Sequence, residues 1–319
     1  MKKKKTERDE FLKLFSIEHV GYRWYFKCLG RTMFRISGKS DGAYGIKAIF
    51  REYVGRDFKG KLVEIQHGWT PLETALVSDL EKANEKDCRA MLAWNKRYKD
   101  DWDKKSKVPC YVTGAPFVLY RRMKGIEQNK DAKGTIAYPA HSIQNMKANF
   151  DIDEYCNKLK ALPAEFHPIT ISLHPVDIDE FHMDEEYKKR GFDTVCAAKV
   201  AGKSFHEIFY DILRQFKYAT SNEPGSYTFY AVEMGVPFFI LGEPAISNNS
   251  DGRDPNVPKG DFSIIDFKYG KTAYELFSKK PFGQITKEQQ DFVLSEVGLT
   301  DCVSQTEIKN IFKNLKKKG

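Results

Sequence analysis

The second half of the chain repeats one pattern, in which a short apolar run is followed by an amphipathic segment. The apolar runs are rich in β-branched and aromatic residues, as in Ile169-Thr-Ile-Ser-Leu173, which favours buried strands. Strands that alternate with helices form a parallel sheet covered on both faces. The predicted strands are 135–139, 169–173, 194–198, 218–222 and 237–241, and the predicted helices are 151–162, 204–216 and one that begins near Gly225-Ser226.

The first 130 residues are less regular. They contain strand-like segments at 61–66 and 108–112 and a predicted helix over 73–94. The polar stretch 124–133 has the composition of an interdomain linker. The predicted units are an N-terminal acceptor-side domain over 1–130, a nucleotide-binding domain over 134–275, and a C-terminal helical segment with a basic tail over 276–319.

The composition is that of a globular protein. The chain has 319 residues, of which 41% are hydrophobic and 30% charged, and its formal net charge is +8. This length suggests two domains with substantial cores. The densest apolar run, 236–241, is far shorter than the roughly 20 residues needed to cross a bilayer, and no long apolar segment follows the basic N-terminus. We therefore expect neither an integral membrane protein nor a secreted scaffold.

Cysteine spacing and charge bear on location and partners. The six cysteines are scattered without a C-x-x-C pair, which argues against a zinc ribbon and favours a cytoplasmic protein with free thiols. Lysine runs lie at 2–5 and 316–318. Such runs are usually solvated tails; the alternative is peripheral contact with anionic lipid at the inner face of the membrane, helped by apolar residues of 11–15. Nucleic acid is not an expected partner, because no RNP-like, zinc-finger or helix-turn-helix signature occurs.

Candidate functional residues cluster where predicted strands end, which is where ligands bind in parallel sheets. His67 follows a strand and precedes a glycine, and an imidazole there could take a proton from a hydroxyl nucleophile. Glu64 competes for that role, and a structural histidine in a tight turn is the alternative. His141 and Ser142 close the strand that opens the second domain and are expected to face the interdomain cleft. Ser142 could equally be a helix cap.

Two further strand ends favour phosphate binding. Pro175 stops one strand and fixes the chain direction, so that His174 is presented to a phosphate oxygen or a departing phosphate. At the other, small polar residues flank a glycine where a strand is followed by a helix, whose N-terminal N–H groups and dipole attract anions. Those residues are Thr220, Ser221, Asn222, Gly225 and Ser226. A chance His-Pro pair and a simple cap at Ser226 are the alternatives. The D-x-D triplets at 151–153 and 177–179 are common in charged loops, so no metal site is expected.

Together these motifs resemble those of two-domain, GT-B-type glycosyltransferases of bacterial surface polysaccharides. His174-Pro175 is similar to the HP motif of sialyl-, polysialyl- and Kdo-transferases, and the hydroxyl-rich segment 220–226 is similar to their serine-rich motif. The segment His67-Gly-Trp-Thr-Pro-Leu72 resembles the His-Gly-Thr-Pro-Leu stretch of teichoic-acid glycerophosphotransferases, with Trp69 inserted. The resemblance is best over 135–241.

The resemblance implies an α/β fold with two Rossmann-like domains facing a cleft, followed by C-terminal helices. It implies a glycosyltransferase that moves a CMP-linked sialic-acid-like or Kdo sugar, with inversion, to a glycan or lipid-linked glycan acceptor. No cofactor and no obligatory metal are expected. The implied catalytic residues are His67, Glu64 and His174, and the implied donor-binding residues are His174, Pro175, Thr220, Ser221, Asn222, Gly225, Ser226, His141 and Ser142. Arg121, Arg122 and Asn222 are candidate partners for the sugar carboxylate.

Two alternatives stay open. Within the same fold, the donor could be linked to UDP, GDP or CDP, or the protein could be a nucleotide-sugar epimerase. A second phosphate would need more cationic side chains than the motifs supply, which favours a monophosphate leaving group. From another class, the chain could be a non-catalytic protein that binds glycans or nucleic acid; such a protein needs neither His67 nor His174 in a cleft.

Overall fold

The computed structural model describes residues 43–56, 58, 62–84, 88–143, 146–197 and 204–315. The basic runs at 2–5 and 316–318 and the apolar residues 11–15 lie outside the described residues, so the predictions made on them stay untested. The five described cysteines are free thiols, as expected. None of the described helices combines the length and the apolar character required to span a membrane.

The N-terminal half is built on a three-stranded parallel sheet in the order β1-β2-β3. The central strand β2 is completely buried because its sequence, Ala-Met-Leu-Ala, is apolar on both faces. Helix α3 is capped by Asn95, whose side chain accepts the Tyr98 N–H. The elements are α1 (Ile46–Val54), β1 (Val63–Ile65), α2 (Val77–Asn84), β2 (Ala90–Ala93), α3 (Lys96–Lys105), β3 (Cys110–Val112) and α4 (Pro116–Lys124).

The second half is built on a five-stranded parallel sheet in the order β6-β5-β4-β7-β8. The chain builds outward from β4 to one side and then returns to build β7 and β8 on the other. The strand order therefore reverses at β4, and this reversal creates a crevice at the carboxyl ends of the strands. The elements are β4 (Thr135–Ala137), α5 (Ile152–Lys160), β5 (Ile169–Leu173), α6 (Pro175–Asp179), α7 (Met183–Lys189), β6 (Asp193–Cys196), α8 (Phe205–Leu213), β7 (Tyr218–Ser221), α9 (Ser226–Met234) and β8 (Phe238–Ile240).

The remaining elements connect the two halves. Helix α11 packs on α9, while α12 returns to α1, where the ring of Phe312 lies 4.5 Å from that of Phe58. Before them, β9 and β10 form an antiparallel pair. The elements are β9 (Ile246–Asn248), β10 (Asp261–Ser263), α10 (Lys268–Ser278), α11 (Lys287–Glu296) and α12 (Gln305–Asn314), with short 3-10 helices at Ala43–Gly45, Ala164–Phe166 and Ile264–Asp266.

The predicted fold class is confirmed: two parallel α/β layers face one cleft, as in the GT-B type, and helices follow at the C-terminus. Every strand named from the sequence is present. The single helix predicted over 73–94 is wrong, because the chain forms α2 and then the buried strand β2 within it. A short apolar run does not distinguish a buried strand from a helix by its spacing. The segment 125–134 joins α4 to β4, and the domain boundaries stay a prediction.

Candidate functional site

One cleft of about 640 Å³ lies between the two halves, beyond the carboxyl ends of β1 and of four strands of the larger sheet. Each of these strand ends contributes residues to its wall. His67 follows β1, His141 follows β4, and His174 follows β5. The fourth contribution is Gly225-Ser226, at the start of α9 after β7. The fold therefore brings together four of the clusters named from the sequence.

The three histidines and one tyrosine form a continuous group on the cleft wall. The ring centroids of His141 and His174 are 4.9 Å apart. Tyr44 lies between the two halves: its ring is 5.1 Å from that of His67, and its hydroxyl is 3.2 Å from His174 Nε2. Groups so close together change protonation as a coupled set rather than independently.

The hydrogen bonds of His174 fix its tautomer. His174 is the N-cap of α6, and its Nδ1 accepts the N–H of Val176 at 3.3 Å. The neutral ring therefore carries its proton on Nε2, which faces Tyr44. Burial, together with the neighbouring His141 and His67, lowers the pKa of His174 to about 3. His174 is thus a neutral N–H donor at pH 7. Pro175 is the first residue of α6, a position that proline favours, and it does not line the cleft.

The other two histidines are also held neutral. Their rings are open to the cleft but are surrounded by protein on their remaining sides. Burial lowers the pKa of His67, with Lys82 and His141 adding to the effect. Burial also lowers the pKa of His141. A neutral imidazole has one nitrogen free to accept a proton, as a general base must.

The loop that carries His67 touches the opposite half of the molecule directly. A Cβ on Gly68 would lie 3.2 Å from Ser226 Oγ, so glycine permits this close approach. The next residue, Trp69, donates its backbone N–H to the same oxygen at 3.0 Å. From the other side, Gln66 donates its side-chain amide to the Gly68 carbonyl and accepts the Trp94 N–H. The loop is therefore fixed on both faces.

Helix α9 begins near Gly225-Ser226, as the sequence predicted. The alternative of a simple cap at Ser226 is wrong, because the N-cap is Gly225 and Ser226 is the first helical residue. The Gly225 N–H donates to the Thr228 hydroxyl at 3.1 Å, which caps the turn in place of a Ser226 side chain. The first-turn N–H groups of a helix have no partner within it and carry the positive end of the helix dipole. The Thr228 N–H already donates to the Gly225 carbonyl at 2.9 Å, so an anion at the cleft wall would meet the N–H groups of Ser226 and Tyr227.

The remaining donor-site candidates lie behind the wall rather than on it. The Thr220 hydroxyl donates to the Phe239 carbonyl, and Asn222 accepts the Ala140 N–H and donates to the Glu243 carbonyl. The Ser221 hydroxyl is 3.0 Å from that of Tyr227. Ser142 accepts the Ala148 N–H through its own hydroxyl. All four side chains are buried and hold the strand ends in place; they do not line the cleft.

Three charged candidates also lie off the cleft wall. Glu64 is on β1, where its carboxylate is 3.9 Å from the ammonium group of Lys47. Arg121 and Arg122 both pair with Glu233 of α9, at 2.7 and 2.8 Å. None of the three lines the cleft. The two arginines therefore join α4 to α9 instead of reaching a bound sugar.

Sequence reasoning missed Glu223, which lines the cleft. Burial raises the pKa of its carboxyl group to about 7, and the Ala245 N–H donated to Oε2 at 3.3 Å opposes this rise. The position of Glu223 directly after β7 was the signal that could have identified it, since strand ends carry function in this sheet class. Tyr44 was missed because only its contacts across the fold reveal it.

The segment between β9 and β10 reaches the N-terminal half. Asn256 accepts the Val77 N–H at 2.7 Å, and both Asp254 and Asn256 line the cleft. Within the described part of the chain, the cleft wall contains no lysine or arginine. The described His, Cys, Asp and Glu side chains form no group of three suited to a metal ion.

No protein-family model matches this chain, and no curated protein matches it either. Solved structures do. Among them are structures of the wall teichoic acid polymerase TagF. The H548A variant is 13% identical with a TM-score of 0.38, covering 80% of this chain and 67% of its own. TagF itself is 11% identical with a TM-score of 0.39, covering 80% of this chain and 67% of its own. The H444N variant soaked with CDPG is 12% identical with a TM-score of 0.37, covering 78% of this chain and 65% of its own. This chain thus spans about two thirds of the length of those proteins.

Proposed function

We propose that this chain is a glycosyltransferase of cell-surface polymer synthesis that uses a CMP-linked sugar as donor. The observation that carries the proposal is the cleft itself: the fold places His67 of one half beside His141, His174 and the N-terminus of α9 from the other. A base and a phosphate-binding helix terminus on opposite sides of one cleft are what a displacement reaction requires.

The proposed reaction is a single displacement. His67 accepts the proton of an acceptor hydroxyl as that oxygen forms a bond to the anomeric carbon of the donor. The bond between this carbon and the CMP phosphate oxygen breaks, and the phosphate keeps the electron pair. The N-terminus of α9 stabilises the charge that develops there, and the Nε2–H of His174 does so by donating to this oxygen in place of the Tyr44 hydroxyl. Attack opposite to the leaving group inverts the anomeric carbon.

The electrostatics of the cleft support this division of roles. Burial keeps His67 and His174 neutral near pH 7, so the first accepts a proton while the second donates a hydrogen bond. The helix terminus supplies partial positive charge without a cationic side chain. A monophosphate needs less positive charge than a diphosphate, and we therefore expect transfer without a divalent cation.

The second candidate is transfer of a polyol phosphate from a CDP-linked donor. It is favoured by the segment His67–Leu72, which lies in the cleft wall and resembles a motif of teichoic-acid glycerophosphotransferases. In that reaction the acceptor oxygen attacks the β-phosphorus, and the bond from this phosphorus to the CMP oxygen breaks. Both candidate reactions therefore release CMP, and the same phosphate site serves either one.

Calorimetric titration of the purified protein with CMP, CDP, UDP and GDP, with and without Mg²⁺, tests the shared part of the proposal. We expect CMP to bind without metal and more tightly than UDP or GDP. Incubation with CMP-linked sugars or CDP-glycerol and a hydroxyl acceptor then separates the candidates, since only the second reaction leaves a phosphate group on the acceptor. A preference for UDP or GDP would overturn the cytidine assignment. Binding of no nucleotide would favour a non-catalytic protein.

A further inference from the structure

The residue inserted into the His-Gly-Thr-Pro-Leu pattern makes the contacts that hold the histidine loop. Trp69 is buried, and its ring lies 4.7 Å from that of Phe229 on α9. Its backbone N–H donates to Ser226 Oγ at 3.0 Å, and its indole Nε1–H donates to Glu296 Oε2 at 2.6 Å. One side chain thus contacts both α9 and the end of α11.

Glu296 also anchors a second group that holds the same loop. Its carboxylate forms a buried ion pair with Arg97, with a shortest distance of 2.6 Å. The Arg97 guanidinium in turn donates to the carbonyl of Thr70 at 2.6 Å and to that of Leu72 at 2.7 Å. The Glu296 carbonyl accepts the Asn95 side-chain amide. The charge on Glu296 therefore holds Trp69 directly and the carbonyls of Thr70 and Leu72 through Arg97.

We propose that Trp69, Arg97 and Glu296 act as positioning residues that hold His67 at the N-terminus of α9. None of the three reaches a reacting atom through its polar group in this arrangement. Two of them come from α3 and α11, far from the loop in sequence, so the loop geometry depends on the C-terminal helices. This inference rests on the proposed function for its catalytic consequence, but the structural part stands on the contacts alone.

The physical argument concerns the part of the loop that follows Gly68, the residue at which Gln66 holds it. Its backbone carbonyls at 70 and 72 point to a guanidinium that could not remain buried without Glu296, because an unpaired buried charge is costly. Replacing Glu296 with glutamine keeps an acceptor for Trp69 but removes the charge that pairs with Arg97. The loop should then move away from α9, and even a small displacement of a base lowers the rate strongly.

The titration of His67 tests this without reference to turnover. Imidazole NMR signals, assigned with His67→Gln, report the pKa of His67 in the wild type, in Trp69→Phe and in Glu296→Gln. Burial is the main cause that lowers this pKa, while Lys82, His141 and Tyr44 also face the ring. We expect both variants to raise the pKa of His67 toward its ordinary value of about 6.5, because a loosened loop moves the ring away from the protein groups that lower it. Trp69→Phe keeps the aromatic contact with Phe229 and so carries the test if Glu296→Gln does not fold.

Glu233→Gln is the matched control. It makes the same change in another buried arginine pair, with Arg121, and this pair joins α9 to α4 rather than to the loop that carries His67. The control should lose stability without moving the pKa of His67. If turnover is detectable, Trp69→Phe and Glu296→Gln should each lower kcat about tenfold or more, while CMP affinity changes less than about threefold. The proposal would be overturned if the pKa of His67 is unchanged in both Trp69→Phe and Glu296→Gln, or if it changes equally in Glu233→Gln. A wild type without transferase activity would instead contradict the proposed function alone.

Discussion

At the scale of single residues, the cleft works through groups held uncharged. His67, His141 and His174 all have a lowered pKa because protein atoms surround each ring on the sides that do not face the cleft. The raised pKa of Glu223, about 7, has the same cause acting on a carboxyl group. Perturbed titratable groups that converge on a cleft are typical of functional sites. The sequence predicted the three histidines but not their neutral state, which depends on what surrounds them.

Substitution of His67 is the direct test of its role as base. His67→Gln should lower kcat by at least about 100-fold, the usual contribution of a positioned general base, while CMP binding stays within about threefold. In the wild type, kcat/KM should fall as the pH falls, because protonated His67 cannot accept the acceptor proton. The apparent pKa of this fall should lie below 6.5, since burial lowers the pKa of His67. Steady-state kinetics with calorimetry of CMP binding separates the two effects. Loss of CMP binding in the variant would mean that His67 contacts the donor instead.

At the scale of secondary structure, the start of α9 organises the phosphate side of the cleft. Gly225 has no room for a side chain: a Cβ there would lie 2.7 Å from ring atoms of Tyr227. That ring stacks on Tyr138 at 5.0 Å and is nearly parallel to it, and its hydroxyl donates to the Glu223 carbonyl. The φ of Gly225, −153°, is one that any residue adopts. Glycine is therefore needed here for the packing of Tyr227 and not for its backbone conformation.

Gly225→Ala tests this requirement. The variant should be about 1–3 kcal/mol less stable, as is usual when an atom is forced into a packed site, and should bind CMP more weakly because the start of α9 must move. Urea unfolding and calorimetry measure the two effects. In a Tyr227→Leu background the same substitution should cost less, because the obstructing ring is gone; additive effects in this double-mutant cycle would show that Tyr227 is not the obstacle.

The elements that the sequence predicted are those whose pattern is local. Strand β5, for example, has all five residues buried, which matches its continuous apolar run. Strand β2 was predicted as part of a helix because the run of four apolar residues after α2 fits either structure. The pair β9 and β10 was not predicted, because none of its residues is buried and it therefore lacks a continuous buried apolar run like that of β5. The N-cap at Gly225 instead of Ser226 was equally hidden, because it depends on the Thr228 hydroxyl.

At the scale of the whole molecule, contacts between distant segments form the cleft. Trp69 meets Ser226, Val77 meets Asn256, and Glu296 returns from α11 to the loop after β1. The motifs identify which strand ends carry polar residues, and the rule for parallel sheets places these at one edge. They do not reveal which side chains turn inward behind the wall. Thr220 and Asn222 fit a phosphate site by composition, but both are used to join strands.

The cleft also links the protonation of the site to the stability of the fold. For His174 the folded-state pKa, about 3, is below the ordinary value; below about pH 6.5 the unfolded chain therefore binds a proton that the native protein does not. This term is absent at neutral pH and destabilises the native state increasingly as the pH falls from about 6.5 toward 3. Glu223 acts in the opposite direction, because its raised pKa, about 7, lets the native state bind a proton first. The pH dependence of wild-type stability therefore combines two opposing contributions.

The difference in the free energy of unfolding between the wild type and His174→Gln isolates the contribution of His174. Relative to wild type, His174→Gln should gain about 1–2 kcal/mol of stability between pH 7 and pH 5, because its unfolded state no longer takes up that proton. The loss of the α6 cap, the bond from the Val176 N–H to Nδ1, lowers stability at both pH values and cancels in this difference. Urea unfolding of both proteins at the two pH values measures it. A pH-independent difference would mean that His174 titrates alike in the folded and unfolded chains, and that the cleft does not hold it neutral.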